Sequence, residues 1–178
     1  ISGMGDRFFG KFERALLVDP TTADYESEYV NSFPEHRDLA ELGSYVIERK
    51  GGTAKFIEGL GNVLRRSYDE VIDMPRTKRW SLDELEKTEK TYVGTKVEIL
   101  IRAWREVGRG GKLDMSIDGH EVDVKNTIDR TWMIPREAIG QICLLIKGSD
   151  ESSKYSAGLF RANLDYLTEG KNQDSKRS

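Results

Sequence analysis

Apolar residues between Thr53 and Pro75 recur at steps of three and four positions, the spacing of one face of a helix. We therefore predict a helix that begins at Thr53 and ends at Pro75, with a buried face formed by Phe56, Leu60, Val63, Leu64, Tyr68 and Val71. Residues 8–33 mix aromatic and acidic side chains without a sustained period. Within them, only the stretch from Phe8 to Leu17 favours a short helix.

A second helix is predicted to begin at Ser81-Leu82-Asp83-Glu84. In this capping-box pattern the serine caps the helix start and the glutamate reaches back to the serine amide. The helical pattern continues toward Val107, with an interruption allowed at Gly94. Glu98 stands inside the apolar run 97–101, where it marks either a solvated helix face or a functional carboxylate.

Two stretches in which polar and apolar residues alternate, 112–117 and 120–125, flank Asp118-Gly119. Asp-Gly between alternating runs predicts a hairpin closed by a two-residue type I′ turn. Counting outward from this turn sets Asp114 opposite Asp123, so the two aspartates are predicted to be cross-strand partners.

Side chains along a strand alternate between the two faces of a sheet. The apolar face of the hairpin is predicted to hold Leu113, Met115, Ile117, Val122 and Val124, and the polar face Lys112, Asp114, Ser116, Glu121, Asp123 and Lys125. Two opposed carboxylates repel and require a cation, most simply a metal ion such as Mg²⁺. Asp114, Asp123 and Lys125 would then supply the oxygen ligands and the positive group that phosphodiester hydrolysis needs. The alternative is an ordinary solvated hairpin face.

The glycine-rich segment Gly108-Arg109-Gly110-Gly111-Lys112 precedes this hairpin. It lacks the spacing of a phosphate-binding loop, and it is followed by a strand pattern where such a loop opens a helix. We predict a helix-to-strand turn.

Charge and composition exclude several classes of protein. The net charge of -3 argues against DNA binding by bulk positive charge, and the excess acid lies in residues 1–52, which hold 6 Lys and Arg against 10 Asp and Glu. One cysteine, Cys143, and two distant histidines exclude an intramolecular disulfide and a cysteine-rich zinc site. Cys143 lies in an apolar run and is predicted to be buried. The sequence contains no membrane-spanning apolar stretch, so we expect a soluble, cytoplasmic protein.

Four segments, taken together in order and spacing, resemble consecutive blocks of the endonuclease domain of the NaeI family of restriction endonucleases. They are 76–81, 87–98, 122–125 and 132–146, and the tail 156–177 is also similar. The likeness covers roughly Thr53 to Arg177. We therefore divide the chain into an acidic N-terminal extension, residues 1–52, and a PD-(D/E)XK endonuclease domain, residues 53–178.

The resemblance implies an α/β protein with a restriction-endonuclease-like, MutH-like core, in which helices flank a central mixed sheet. It implies double-stranded DNA as substrate and Mg²⁺ as cofactor, for which Mn²⁺ substitutes. Asp114 and Asp123 match the metal-binding aspartates of the family, Lys125 matches its catalytic lysine, and Glu98 matches a helical carboxylate of the active site and metal site.

The expected activity is sequence-specific cleavage of DNA in prokaryotic restriction or phage defence. A nickase of a repair or defence system and a catalytically silent DNA-binding module are the alternatives. Family members resemble two-domain enzymes with a C-terminal DNA-binding domain, so this chain is either an excised domain or a short relative. Cutting both strands of a palindrome favours a homodimer. For the acidic extension we favour a plain structural role, with a contact for a partner protein or a shield over the cleft as the alternatives.

Polar and basic residues around the predicted catalytic strand are candidates for DNA contacts. One group follows Lys125 in sequence and comprises Asn126, Thr127, Arg130 and Thr131; the other comprises Arg76, Lys78 and Arg79. For both groups the alternative is ordinary solvated surface. Trp132 is assigned to the core in preference to base stacking.

Overall fold

A five-stranded sheet forms the centre of the molecule. The computed structural model describes residues 14–18, 37–49, 51–128 and 132–163. The strands are β1 (Arg14–Val18), β2 (Met115–Ile117), β3 (His120–Thr127), β4 (Ile142–Ser149) and β5 (Lys154–Arg161), in the order β1-β5-β4-β3-β2. β3 and β4 are parallel and the other neighbours are antiparallel, so the sheet is mixed.

The described helices are α1 (Arg37–Glu48), α2 (Gly52–Ile72), α3 (Met74–Thr77) and α4 (Lys87–Arg105). The predicted apolar face of α2 is buried at all six positions, which confirms this helix. Its end comes earlier than predicted, because Asp73 adopts a left-handed backbone with φ of 50° and Pro75 belongs to α3. Among the described helices, none has the length and apolar character needed to cross a membrane.

The predicted start of the second helix was too early. The capping box does form, since the Glu84 carboxylate accepts a hydrogen bond from the Ser81 amide at 2.9 Å. It opens only a 3₁₀ turn, and α4 begins at Lys87, where Glu86 starts another capping box. Gly94 does not interrupt α4.

α2 and α4 lie side by side on the sheet. A Cβ atom at Gly59 would stand 2.3 Å from the Trp104 ring, so this glycine allows the two helices to approach closely. Farther along the pair, Lys96 Nζ lies 2.6 Å from Glu70 Oε2. These contacts set the position of α4, the helix that carries Glu98.

The N-terminal residues that the structure describes belong to the same sheet and core. β1 pairs with β5, with Arg14 opposite Phe160. α1 buries Leu39, Leu42, Val46 and Ile47 in the core that α2 and α4 share. The predicted helix from Phe8 to Leu17 is wrong for residues 14–17, which are in β1; residues 8–13 lie outside the described residues.

The two faces of the sheet carry cores of different size. The larger core lies under α1, α2 and α4 and includes Val122, Val124, Ile142, Leu144 and Ile146 from the strands. The smaller core on the other face holds Leu113, Ile134, Ala138, Cys143, Leu145, Phe160 and Ala162, with Trp132 packed against it as predicted. Burial of Cys143 is confirmed, and it raises the pKa of the thiol to about 12. The α/β class with a mixed sheet flanked by helices is confirmed and agrees with a restriction-endonuclease-like fold.

Candidate active site

The turn between β2 and β3 has the predicted geometry. Asp118 and Gly119 both have positive φ, 49° and 79°, as a type I′ turn requires. Ile117 is opposite His120, and the ladder continues as far as Met115 and Val122. The register predicted from Asp-Gly is therefore confirmed over this ladder.

The two strands of the hairpin stop pairing at Met115, and the residues before Met115 move away from β3. Asp114 lies outside β2, and its Oδ2 accepts a hydrogen bond from the Val124 amide at 2.7 Å. In a continued ladder that amide would bond the carbonyl of Leu113. Leu113 packs instead in the smaller core, across the sheet from Met115 and Ile117. Its predicted place on their face was wrong, because strict alternation holds only while the ladder continues.

Asp123 is buried on β3, with 3% of its surface exposed. It is in register with Cys143, so its side chain lies on the face of the smaller core. Lys125 Nζ is 3.0 Å from Asp123 Oδ2 and 4.0 Å from Asp114 Oδ2. The predicted proximity of these three side chains is confirmed. Within the described residues, the Lys125 ammonium is the partner of Asp123 Oδ2, and it is shared with Asp114.

The charges at this position are poorly balanced. Burial raises the pKa of the Asp123 carboxyl to about 6; the Lys125 ammonium opposes this shift and Asp114 adds to it. Burial acts to lower the pKa of Lys125, but Asp123 and Asp114 outweigh it and raise this pKa above its ordinary value. One ammonium therefore stays protonated beside two carboxylates. A hard divalent cation, which binds carboxylate oxygens, fits the surplus negative charge of two carboxylates that share one ammonium.

Glu98 is connected to the hairpin through another residue. Its carboxylate accepts a hydrogen bond from Arg102 Nη1, and the same nitrogen donates to the Asp114 carbonyl oxygen at 3.0 Å. No group of three His, Cys, Asp or Glu side chains within the described residues is arranged to hold a metal ion. The structure thus brings Glu98 near Asp114 without grouping it with Asp114 and Asp123 as a third ligand. The sequence analysis missed Arg102, although its spacing of four residues from Glu98 is that of a helical ion pair.

The glycine-rich segment forms the predicted helix-to-strand turn. The Gly108 carbonyl accepts a hydrogen bond from the Ser116 amide at 3.0 Å. The amides of Gly111 and Lys112 donate to Glu121 Oε1 at 2.6 Å and 3.1 Å. Because a carboxylate already occupies these donors, the segment does not form a phosphate cradle.

The first group of DNA-contact candidates lies partly within β3 itself. Asn126 and Thr127 were expected in a loop, but they pair with Ile146 and Lys147 of β4. By alternation Thr127 is on the face of Asp123 and Lys125, and Asn126 is on the opposite face, where its Oδ1 is buried without a described partner. Arg130 and Thr131 lie outside the described residues.

The second group lies at the end of α2, and its members have different surroundings. Arg76 is 85% exposed and pairs with Asp73 at 2.6 Å. Lys78 is exposed and donates to the Pro75 carbonyl. Arg79 instead donates to both oxygens of Glu89 and to two carbonyl oxygens at the end of α2. No contact in the described part of the chain joins these three basic residues to Asp114, Asp123 or Lys125.

Two comparisons with known proteins agree with each other. The family model described as Restriction endonuclease NaeI matches residues 57–178. The type II restriction enzyme NaeI of Lentzea aerocolonigenes is 42% identical to this chain over 116 residues. The aligned residues make up 65% of this chain and 36% of that enzyme, so the match spans little more than a third of the relative's length.

Proposed function

The chain belongs to the NaeI family of restriction endonucleases, and from that premise we propose that it hydrolyses phosphodiester bonds in double-stranded DNA at specific sequences, with Mg²⁺ as cofactor. The proposal extends to this chain the activity named for a relative that is longer than the region matched. It agrees with the fold and with the side chains that β3 presents.

One observation carries the proposal more than any other. Asp123 is buried beside Asp114, and the two carboxylates share one ammonium, Lys125 Nζ, which lies 3.0 Å from Asp123 Oδ2 and 4.0 Å from Asp114 Oδ2. Burying a carboxylate is unfavourable when its compensating ammonium is shared with a second carboxylate, so this arrangement needs an explanation. A bound cation supplies one. An ordinary solvated hairpin face, the alternative from sequence, does not describe a carboxylate that is 3% exposed.

Asp123 and Asp114 are the residues that would hold the metal. Asp114 is suited to this because the hydrogen bond from the Val124 amide holds its carboxylate against β3. When bound, Mg²⁺ supplies a Lewis acid that stabilises negative charge on the phosphate. Both aspartates must be ionised for this, and the raised pKa of Asp123 indicates that the protein alone does not fully stabilise that form.

Lys125 is proposed to act as a cation at the reacting phosphate. Its raised pKa keeps the ammonium protonated at neutral pH, so it serves as a donor and not as a base. It either orients the attacking water or stabilises the charge that develops at phosphorus as water attacks in line with the leaving oxygen. Glu98 is proposed to support the metal, or a water bound to it, from its position on α4.

For DNA contacts, Thr127 is favoured by its position on the face of Asp123 and Lys125, and Arg76 and Lys78 by their exposure. Asn126 is disfavoured because its side chain lies on the other face. Arg79 is disfavoured because its guanidinium is already bonded within the protein. Arg130 and Thr131 remain proposals from sequence.

The proposal is tested by incubating the protein with supercoiled plasmid and Mg²⁺, with EDTA as the metal-free control. Asp123→Asn is the variant that should be inactive. Asp118→Asn is its matched control, because it makes the same chemical change at the exposed, opposite end of the same hairpin and preserves a turn that Asn-Gly also favours.

Discrete linear fragments from the wild type and Asp118→Asn, and none from Asp123→Asn, are the expected result. Linear product at the first cut would also support a two-fold dimer that cuts both strands. Open circular product would identify a nickase. A folded wild type that binds DNA but leaves the plasmid intact at every Mg²⁺ concentration would contradict the enzyme and favour a silent DNA-binding module.

A further inference from the structure

Arg102 joins the helix that carries Glu98 to the hairpin that carries Asp114. It lies one turn after Glu98 on α4, and its Nη1 donates to Glu98 Oε1. The same nitrogen donates to the Asp114 carbonyl oxygen at 3.0 Å. A single guanidinium nitrogen therefore bridges two elements, each of which presents a residue of the candidate active site.

This bridge is shielded from solvent. The Arg102 side chain is 12% exposed and the Glu98 side chain 23%. Hydrogen bonds that involve charged groups are stronger than neutral ones, and shielding from water and salt preserves their strength. The pair thus differs from an exposed helical ion pair, whose contribution is small.

The position of Asp114 explains why an outside donor is needed. Counting back along the chain from the two-residue turn, Met115 is the last residue of β2 that pairs with β3, and Asp114 is the next residue. At this position of the hairpin the backbone carbonyl points away from β3. β2 is the edge strand of the sheet in the described part of the chain, where no further strand pairs with that carbonyl. Its described partner is Arg102 on α4, while the Asp114 side chain bonds Val124. The residue is therefore held from both sides.

We propose that Arg102 is a positioning residue that places Glu98 and Asp114 for metal binding. This inference rests on the proposed function, in which those carboxylates serve a metal ion. Arg102 itself is not a ligand, because a guanidinium has no acceptor. Residues that orient metal ligands through hydrogen bonds typically contribute about 10- to 100-fold to metal affinity.

The test measures binding of Mn²⁺ to the protein without DNA, by following the signal of free Mn²⁺ in electron paramagnetic resonance. We compare the wild type with Arg102→Met, Arg102→Lys and Lys96→Met. Lys96 is the matched control, since it is a shielded cation on the same helix whose partner, Glu70, is on α2 and not at the site. Thermal melting in EDTA reports folding of each variant.

Arg102→Met is expected to bind Mn²⁺ about 10- to 100-fold more weakly than wild type, and its DNA cleavage should recover as the metal concentration rises. Lys96→Met should lose some thermal stability but keep the wild-type affinity. Arg102→Lys should lie between wild type and Arg102→Met, because lysine keeps the charge near Glu98 but is too short and too compact to serve both acceptors well.

Wild-type Mn²⁺ affinity in folded Arg102→Met would overturn the inference and leave Arg102 a structural residue. If Arg102→Met does not fold, Arg102→Lys decides: weaker Mn²⁺ binding than wild type supports the inference, and equal binding overturns it. Failure of the proposed function looks different, because then the wild type itself would not bind Mn²⁺, or Asp123→Asn would bind it equally well.

Discussion

Two pairs of oppositely charged side chains lie in different regions of this protein and differ in their electrostatics. Asp123 and Lys125 are neighbours on β3, with 3.0 Å between their charged atoms. Arg79 and Glu89 join the end of α2 to the start of α4, with a separation of 2.7 Å. The pKa of Asp123 is raised to about 6, whereas the pKa of Glu89 is lowered to about 2.

The difference lies in the donors that each carboxylate receives. Arg79 donates to both oxygens of Glu89, and the Glu86 amide donates to Oε2 at 2.8 Å, so the ionised form is well stabilised. Asp123 is buried, and its Oδ2 has one described partner, the Lys125 ammonium, which it shares with Asp114. A short distance between charges is thus not enough to distinguish a structural pair from a site. The α2–α4 pair stabilises the fold, whereas the β3 pair and the neighbouring Asp114 leave negative charge that a bound cation would balance.

Of the variants at these two ion pairs, Asp123→Asn should have the largest effect on DNA cleavage. Loss of a ligand that supports charge stabilisation costs several kcal/mol in the transition state, so we expect DNA cleavage to fall by about 10³-fold or more. Stability at neutral pH should not fall, since an amide is less costly to bury than an ionised carboxylate. Plasmid cleavage and urea unfolding measure the two effects. A variant that cleaves normally but unfolds at lower urea would reverse the roles of the two pairs.

Lys125→Met should affect both properties. Cleavage should decrease because the proposed cation at the phosphate is lost. The unfolding free energy should fall by about 1–3 kcal/mol, because the buried Asp123 carboxyl loses the ammonium that stabilises its ionised form. Urea unfolding of Lys125→Met and of Asp123→Asn, measured separately under the same conditions, compares their free energies of unfolding. The explanation would be wrong if both variants were equally stable, or if Lys125→Met were the more stable.

Arg79→Met removes the other ion pair, and it should lower stability without lowering DNA cleavage. The melting temperature should fall, because Arg79 binds Glu89 and the last carbonyls of α2. The kcat and KM for DNA cleavage by the folded enzyme should stay at wild-type values. Arg76→Met is the control, since that exposed side chain lies in the same segment and its loss should leave the melting temperature unchanged. A raised KM for DNA in Arg79→Met, without loss of stability, would restore Arg79 as a DNA contact.

Glu89→Gln should show the smallest effect, and it should depend on pH. The folded pKa of Glu89 is lowered from 4.5 to about 2, so its contribution to stability is complete above the unfolded pKa. That contribution decreases as pH falls from about 4.5 toward about 2. We expect wild type to be more stable than Glu89→Gln at pH 6 and the difference to shrink by pH 3. Urea unfolding at both values measures it, and a constant difference would contradict the assignment.

Much of the fold follows from local pattern. The spacing of apolar residues located α2, and Asp118-Gly119 predicted both the type of turn and the register of the hairpin. The start of α4 was missed because two capping boxes follow each other and only the second opens an α-helix. β1 was missed because its pairing with β5 depends on residues more than 130 positions away. Local signals of this kind do not report distant pairing.

The sequence by itself determined that Asp123 and Lys125 lie on one face of a strand, since alternation places residues two apart on the same side. Only the tertiary structure decided that this face is covered by a second core, which buries Asp123 and raises its pKa. It also decided that Asp114 leaves the ladder and that Arg102 bonds its carbonyl from α4. The physical reason is that side-chain periodicity follows from the backbone geometry of a single strand or helix. Desolvation, and hydrogen bonds from one element to another, depend instead on which other elements pack against that strand or helix.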